Sequence, residues 1–332
     1  MKNALLIVAS PFQLMNARAA IYYFQIKEYK LYILKDDDSD RHKQIAEMAE
    51  YYHMKYELID YMRDIFVSKK QFLIKYMKSF FSNSKGTYDM IIHGDYRNVY
   101  PLISFYPFLK KKGAICFVDD GNATINVLKG KEVNVTTKVL YLILKISTKL
   151  KRIKSSLYYT IYDDIKTKLF NIIPNKTLKN NSSDVSDNVT YIIGTNTILH
   201  ADYNALPLSV FISFISTFIK SIKDNCETEK IIFIPHGRDL SQEIQIMCKK
   251  YDIEYKRLDE CVESYFAKQN NYPKTVYGFG SSALFNLKKM YPNCICINLY
   301  IKGFNEKHNK AYDEVNTYYK KHGILLKEQT NA

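Results

Sequence analysis

The sequence lacks an apolar run long enough to cross a membrane. Its longest apolar stretch covers residues 139–144 and ends at Lys145, whereas a spanning helix needs about 20 such residues. Near the start of the chain, the apolar core at residues 4–9 has about six residues, fewer than the roughly 7–15 of a secretory signal. We therefore interpret this segment as a buried first strand and expect a cytoplasmic protein.

The sequence also lacks the cysteine and histidine spacing of a metal or redox site. Its six cysteines are scattered, at positions 116, 226, 248, 261, 294 and 296. No CxxC pair and no zinc-type cluster occurs, and the acidic run at residues 36–38 is better explained as a solvated loop. These absences predict buried, reduced thiols and no bound metal.

Acidic residues are missing from one long segment of a basic chain. The formal net charge is +14, and no Asp or Glu occurs between Glu132 and Asp163. Such a charge attracts polyanions: nucleic acid, an anionic membrane or a sugar nucleotide. We expect residues 125–175 to form a basic, mostly helical insertion. It could lie peripherally on an anionic inner membrane, or pack on the first domain or on a second subunit of a homodimer.

Strand and helix patterns alternate along all 332 residues. Strands are predicted at residues 5–9, 31–34, 56–59, 90–93, 114–118, 189–193, 231–235, 253–256, 275–278 and 294–299. Helices are predicted at residues 12–25, 40–52, 69–81, 98–111, 205–223, 241–250, 262–268, 283–290 and 307–321. Continuous apolar strands separated by helices indicate parallel sheets covered on both faces.

The pattern predicts an α/β protein with two Rossmann-like domains facing across a cleft. Its length suits two hydrophobic cores. The first domain is expected at residues 1–185, with the basic insertion, and the second at residues 186–332, with its last helix packing back on the first. The polar stretch at residues 175–188 is the predicted linker.

Three short polar loops each follow a predicted buried strand. They are Asp119-Asp120-Gly121, His236-Gly237 and Ser281-Ser282. In open α/β sheets, ligands bind beyond the carboxyl ends of the strands. We therefore take the three loops together as the candidate site.

The acidic loop has two interpretations. Successive residues after a strand point in opposite directions, so one carboxylate can face a ligand while the other caps a helix or bonds the loop. The facing carboxylate would be a general base that takes a proton from an attacking hydroxyl. Alternatively, Asp119 and Asp120 are ordinary turn residues.

The histidine loop and the serine loop suit an anion. His236, with Gly237 and Arg238 after it, precedes a helix whose N-terminus favours negative charge. Arg238 could bind the same anion or pair with Asp239. In the other loop, Gly280, Ser281 and Ser282 could cradle a phosphate, although a plain serine N-cap is the alternative.

Weaker candidates occupy other strand ends, and each also has an ordinary structural explanation. For a sugar acceptor they are Ser10, Gln13 and Asn16, and for a nucleotide they are Gly194, Thr195 and Glu263. His93 and Arg97 lie beside a further strand end.

These motifs, in this order, resemble the bacterial sialyltransferases of GT-B fold. The acidic pair with Gly121, the His236 loop and the Ser281-Ser282 pair are similar to the motif trio of glycosyltransferase family 52, which the polysialyltransferases share. The opening Val8-Ala9-Ser10-Pro11-Phe12-Gln13-Leu14 also resembles the start of such chains. One departure is Gly237, where the family has proline after the histidine.

The resemblance implies an inverting, metal-independent and cofactor-free transfer of sialic acid. The donor would be CMP-sialic acid and the acceptor a galactose-terminated glycan of lipooligosaccharide or capsule. Asp119 or Asp120 would be the general base. His236, Ser281 and Ser282 would contact the donor phosphate.

Two other functions remain open at this stage. One is a GT-B glycosyltransferase that uses a UDP- or GDP-sugar. The other is a basic module that binds nucleic acid or membrane, although no helix-turn-helix, RNA-binding aromatic motif or zinc finger is visible. Because the second alternative does not explain the three strand-end loops, we expect no nucleic-acid partner.

Overall fold

Parallel strands and helices alternate through the computed structural model, which divides into two units, Met1–Thr177 and Leu178–Ala332. The structure describes residues 2–35, 41–60, 86–130, 135–150, 156–177, 188–195, 208–225, 230–237, 239, 241–269, 271–302 and 306–330. The division at Thr177 precedes the predicted boundary at residues 185 and 186, and both of these lie outside the described residues.

Unit 1 is built on a parallel sheet with the strand order β3-β2-β1-β4-β5-β6-β7. Its strands are β1 (Asn3–Val8), β2 (Glu28–Lys35), β3 (Tyr56–Asp60), β4 (Tyr88–His93), β5 (Leu109–Val118), β6 (Leu157–Thr160) and β7 (Asn171–Pro174). Its described helices are α1 (Pro11–Phe24), α2 (Arg41–Tyr51), α3 (Val99–Phe105), a 3₁₀ turn (Tyr106–Phe108), α4 (Ala123–Leu128) and α5 (Val135–Leu150).

Unit 2 repeats this plan with the order β10-β9-β8-β11-β12-β13, again all parallel. Its strands are β8 (Val189–Ile193), β9 (Lys230–Ile234), β10 (Glu254–Tyr255), β11 (Thr275–Gly278), β12 (Ile295–Lys302) and β13 (Leu325–Thr330). Its described helices are α6 (Leu208–Asn225), α7 (Gln242–Lys250), α8 (Val262–Ala267), α9 (Ser282–Met290) and α10 (Glu306–Lys321).

Hydrophobic patterning explains why these segments fold as they do. In β1, every residue from Ala4 to Val8 is at most 1% exposed, as a central strand covered on both faces requires. Ser10 then caps α1 by accepting from the Gln13 backbone N–H at 3.1 Å, and Pro11 suits the first helical turn.

Helix α6 covers the second sheet through one apolar stripe. Its buried residues recur at helical spacing, and they are Phe211, Phe214, Ile215, Phe218, Ile219 and Ile222. They pack with Phe233 of β9 and Tyr277 of β11 in one core. The strand order reverses beside β1 in unit 1 and beside β8 in unit 2, and ligands bind at such points in α/β sheets.

The structure corrects three sequence-based expectations about unit 1 and unit 2. Residues 157–160 and 171–174 of the predicted helical insertion are the strands β6 and β7, which extend the first sheet. Strand β5 begins at Leu109, inside the predicted helix 98–111. Strand β13 was not predicted, and the predicted helix 69–81 lies outside the described residues.

Candidate functional site

The two acids after β5 lie in different environments. Asp119 is fully buried, whereas the Asp120 side chain is 17% exposed. Gly121 follows with a φ of 70°, a left-handed conformation that glycine adopts without steric cost. Of these two acids, only Asp120 is therefore accessible to a substrate.

Asp119 joins β5 to the end of β6. Its carboxylate accepts a hydrogen bond from Thr160 Oγ1 at 2.6 Å and one from the Ile161 backbone N–H at 2.8 Å. Burial raises the pKa of Asp119 to about 7, although both hydrogen bonds favour the ionised form. Asp119 thus holds the position of the acidic loop.

Asp120 is held by side chains from two neighbouring strand ends. It accepts from Gln13 Nε2 at 2.6 Å and from Arg97 Nη2 at 2.6 Å. Burial raises the pKa of Asp120, and Asp95 adds to the rise, while Arg97 acts in the opposite direction. Asp120 is therefore a partly exposed carboxylate with a fixed orientation.

The position of the Gln13 side chain depends on Gly94, which follows β4. Gln13 Oε1 accepts from the Ala9 backbone N–H at 2.7 Å, and a Cβ on Gly94 would lie 2.1 Å from this same Oε1 atom. The neighbouring His93 is buried, and its Nε2 lies 2.7 Å from the Asn98 carbonyl oxygen. Burial lowers the pKa of His93, which keeps the ring neutral.

The other two predicted acceptor residues are engaged within unit 1. Ser10 is 1% exposed and caps α1. Asn16 is also 1% exposed, donates to the Phe12 carbonyl at 2.9 Å and accepts from Asn175 Nδ2 at 2.8 Å. Within unit 1 these side chains are bonded to helix α1 and to the residue after β7, and their contact with an acceptor stays a prediction.

In unit 2, His236 follows β9 at the start of a tight turn. The Asp239 backbone N–H donates to the His236 carbonyl at 2.8 Å. Arg257, which follows the neighbouring strand β10, donates to the Gly237 carbonyl at 2.9 Å and to the Asp239 carbonyl at 2.6 Å. His236 is partly exposed and Gly237 is exposed, whereas Arg238 lies outside the described residues.

The first strand of unit 2 supports the same turn. Gly194, directly after β8, donates to the Ile234 carbonyl at 2.8 Å. A Cβ on Gly194 would lie 3.3 Å from the His236 backbone nitrogen, so glycine permits the close approach of these two loops. Thr195, the other predicted nucleotide contact here, is partly exposed.

Buried side chains fix the serine loop after β11. Gly280 has a φ of 60° and donates to Asn298 Oδ1 at 2.6 Å. The Ser281 carbonyl accepts from the Tyr319 hydroxyl at 2.7 Å, and Ser281 Oγ caps α9 by accepting from the Ala283 N–H at 3.3 Å. The Ser281 and Ser282 side chains are partly exposed at the start of this helix, where backbone N–H groups favour an anion.

The Glu263 side chain is buried within unit 2. It is 4% exposed and accepts from Asn286 Nδ2 at 2.5 Å, and burial raises its pKa. The carboxylate therefore links α8 to α9, and contact with a ribose remains a prediction.

Helix α5 in the basic segment packs through part of its surface. The Tyr141 ring stacks on Tyr96 with centroids 4.2 Å apart, while Val139 and Leu142 are 51% and 58% exposed. None of the described helices is long and apolar enough to span a membrane. Among the described residues, no group of three His, Cys, Asp or Glu side chains is placed to hold a metal ion.

Sequence reasoning missed the residues that hold these loops in place. Arg257, Asn298 and Tyr319 carry no motif, because their partners lie 18–38 positions away along the chain. From the sequence, Arg97 could be identified only as a charged residue beside a predicted strand end.

Comparison with known proteins identifies the fold. No protein-family model and no curated protein matches the sequence. Among solved structures, an α/β-galactoside α-2,3-sialyltransferase from the luminous marine bacterium Photobacterium phosphoreum is similar, with 12% identity, a TM-score of 0.54 and 98% of both chains covered. A putative UDP-N-acetylglucosamine 2-epimerase from Listeria monocytogenes is also similar, with 11% identity, a TM-score of 0.53, and 97% of this chain and 89% of that chain covered. Two parallel-sheet α/β units and this likeness together show that the chain has the GT-B fold.

Proposed function

We propose that this protein is a metal-independent, inverting sialyltransferase that moves sialic acid from CMP-sialic acid to a galactose-terminated glycan. The observation that carries the proposal is the partly exposed, bonded carboxylate of Asp120 at the carboxyl end of β5. The fold likeness to a sialyltransferase along 98% of both chains supports it, as does the order of the three loops.

We assign the general base to Asp120. A base must reach the proton that it removes, and Asp119 is fully buried against Thr160 and Ile161. Asp120 takes the proton of the acceptor hydroxyl as that oxygen bonds to the anomeric carbon of sialic acid. The bond from this carbon to the phosphate oxygen breaks, and CMP leaves with the electron pair.

Unit 2 supplies the groups for the leaving phosphate. His236 lies partly exposed after β9, and Ser281 and Ser282 lie partly exposed after β11. An imidazole N–H, serine hydroxyls and the N-terminus of α9 all stabilise developing negative charge on the phosphate.

The central experiment measures CMP release from CMP-sialic acid with lactose, N-acetyllactosamine or sialyllactose as acceptor. Turnover is expected with at least one acceptor and in the presence of EDTA. Asp120→Asn is expected to lower kcat by about 10²–10⁴-fold, the usual contribution of a general base. Asp119→Asn, its matched control, is expected to retain more activity than Asp120→Asn.

A nucleotide-binding panel separates this proposal from its alternative. The likeness to an epimerase of a UDP-sugar favours UDP-linked chemistry as the second candidate. Because a ligand that binds the folded state raises its melting temperature, CMP should stabilise the protein more than UDP or GDP. Stabilisation by UDP alone, with no turnover of CMP-sialic acid, would refute the sialyltransferase assignment.

A further inference from the structure

The His236 turn is held from outside by one charged side chain. Arg257 donates through Nη1 to the Asp239 carbonyl at 2.6 Å and through Nη2 to the Gly237 carbonyl at 2.9 Å. These two carbonyls lie on either side of residue 238, so the guanidinium spans the turn. A planar guanidinium presents such paired donors in a rigid geometry that a lysine cannot reproduce.

An external constraint matters for this turn because the residue after His236 is a glycine. Gly237 is exposed, and glycine has the largest conformational freedom of any residue. Within the turn, the structure gives the Asp239 N–H bond to the His236 carbonyl, at 2.8 Å, and the Ser241 N–H bond to Asp239 Oδ1, at 2.9 Å. These bonds fix the end of the turn, while Arg257 binds the Gly237 carbonyl next to His236.

Arg257 reaches the turn because of strand order. Strands β10 and β9 are parallel neighbours, with Tyr255 paired to Phe233 and the Lys256 N–H bonded to the Phe233 carbonyl at 2.9 Å. Their carboxyl ends therefore lie side by side. The residue that leaves β10 at this point meets the residues that leave β9.

We propose that Arg257 is a positioning residue that fixes the His236 imidazole for contact with the donor phosphate. The identity of the ligand rests on the proposed function, whereas the contact between Arg257 and the His236 turn rests on the geometry. Arg257 is itself exposed, so its removal leaves no cavity in the core. Losing hydrogen bonds to a charged donor is expected to raise the KM for CMP-sialic acid by about tenfold or more.

The test compares Arg257→Ala and Arg257→Lys with Lys256→Met. The control removes a neighbouring positive charge whose Nζ donates to the Tyr265 hydroxyl at 2.9 Å. Arg257→Ala should raise the donor KM more than it lowers kcat, and millimolar guanidinium should restore the wild-type KM while methylammonium should not. Arg257→Lys should show a smaller increase in the donor KM than Arg257→Ala. Lys256→Met should leave the KM unchanged.

A second measurement does not depend on the donor. The NMR signal of the His236 ring, assigned by its loss in His236→Gln, should shift or broaden in Arg257→Ala and return with guanidinium. A His236 signal identical to wild type in Arg257→Ala would overturn the inference, as would an equal change in Lys256→Met. If wild-type protein does not turn over CMP-sialic acid, the proposed function fails, and the His236 signal still decides the role of Arg257.

Discussion

Arg97 Nη2 lies 2.6 Å from Asp120 Oδ2, and the same guanidinium bonds Asp95 Oδ1 through Nε at 3.1 Å. One cation thus lies between two carboxylates that would otherwise repel each other. Arg97 lowers the pKa of Asp120 against the effects of burial and Asp95, which raise it.

Replacing Arg97 with methionine should shift the pH dependence of the enzyme. Without the cation, the pKa of Asp120 rises, so this proposed base becomes ionised only at higher pH. The acidic limb of the plot of kcat/KM against pH should therefore shift to higher pH in Arg97→Met. It should stay near its wild-type position in Arg97→Lys. An unchanged limb in Arg97→Met would contradict the pairing of Arg97 with Asp120, the proposed base.

Asp119→Asn should change how stability depends on pH. The pKa of Asp119 is about 7 in the folded protein and about 4 in an unfolded chain. At a pH between these two pKa values, Asp119 is ionised in the unfolded state and protonated in the folded state. The free energy of unfolding of wild type therefore falls as pH rises. Above about pH 7, Asp119 is ionised in both states, and the free energy of unfolding does not fall further through this group.

Calorimetry of both proteins from about pH 4 to about pH 8 measures this effect. Asn can still accept from the Ile161 N–H, and it does not ionise. The melting temperature of Asp119→Asn should rise relative to wild type across this interval. Parallel curves for the two proteins would show that the raised pKa is wrong.

Gly94→Ala should remove a hydrogen bond of Asp120 indirectly, by displacing the Gln13 side chain. The new Cβ would lie 2.1 Å from Gln13 Oε1, so Gln13 must leave both the Ala9 N–H and Asp120. We expect a loss of stability of about 1 kcal/mol, because the partly buried Ala9 N–H loses its acceptor, together with reduced kcat.

Gln13→Ala supplies the matched background for this substitution. With Gln13 already truncated, Gly94→Ala should cost little more, since residues that act through one contact are not additive. Full additivity in the double variant would mean that Gly94 acts through some other neighbour.

Tyr319→Phe should loosen the serine loop by removing a single hydroxyl. The Tyr319 hydroxyl donates to the Ser281 carbonyl at 2.7 Å, and such a bond contributes about 1 kcal/mol. We expect weaker CMP binding in titration calorimetry and a slightly lower melting temperature. Tyr318→Phe, which alters the adjacent ring that packs on Phe285, should bind CMP like wild type.

The sequence predicted strands well wherever apolar runs were continuous, and it left open whether Asp119 and Asp120 serve a ligand or are ordinary turn residues. It could not tell which acid is buried. Asp119 is covered by Thr160 and Ile161, at the end of a four-residue strand within a segment whose lysines and apolar spacing favoured helix. Short strands such as β6, which lies between β5 and β7, depend on pairing with distant neighbours, which local patterns do not report.

The same limit explains the missed residues of unit 2. The Gly280 N–H meets Asn298 because Gly278, the last residue of β11, pairs with Asn298 of the neighbouring strand β12. The Asp239 carbonyl meets Arg257 because the neighbouring strands β9 and β10 end side by side. An isolated asparagine or arginine in a loop has no spacing that marks it. The three loops could therefore be predicted from sequence, whereas the side chains that hold them required the sheet order.

The strand order also bears on how the chain is made. In the described residues, every strand of the first sheet pairs with strands that end by Pro174, and every strand of the second begins at Val189 or later. Domains fold as units during synthesis, N-terminal first. All described partners of the first sheet are therefore synthesised before those of the second, so the acidic loop can mature ahead of the histidine and serine loops.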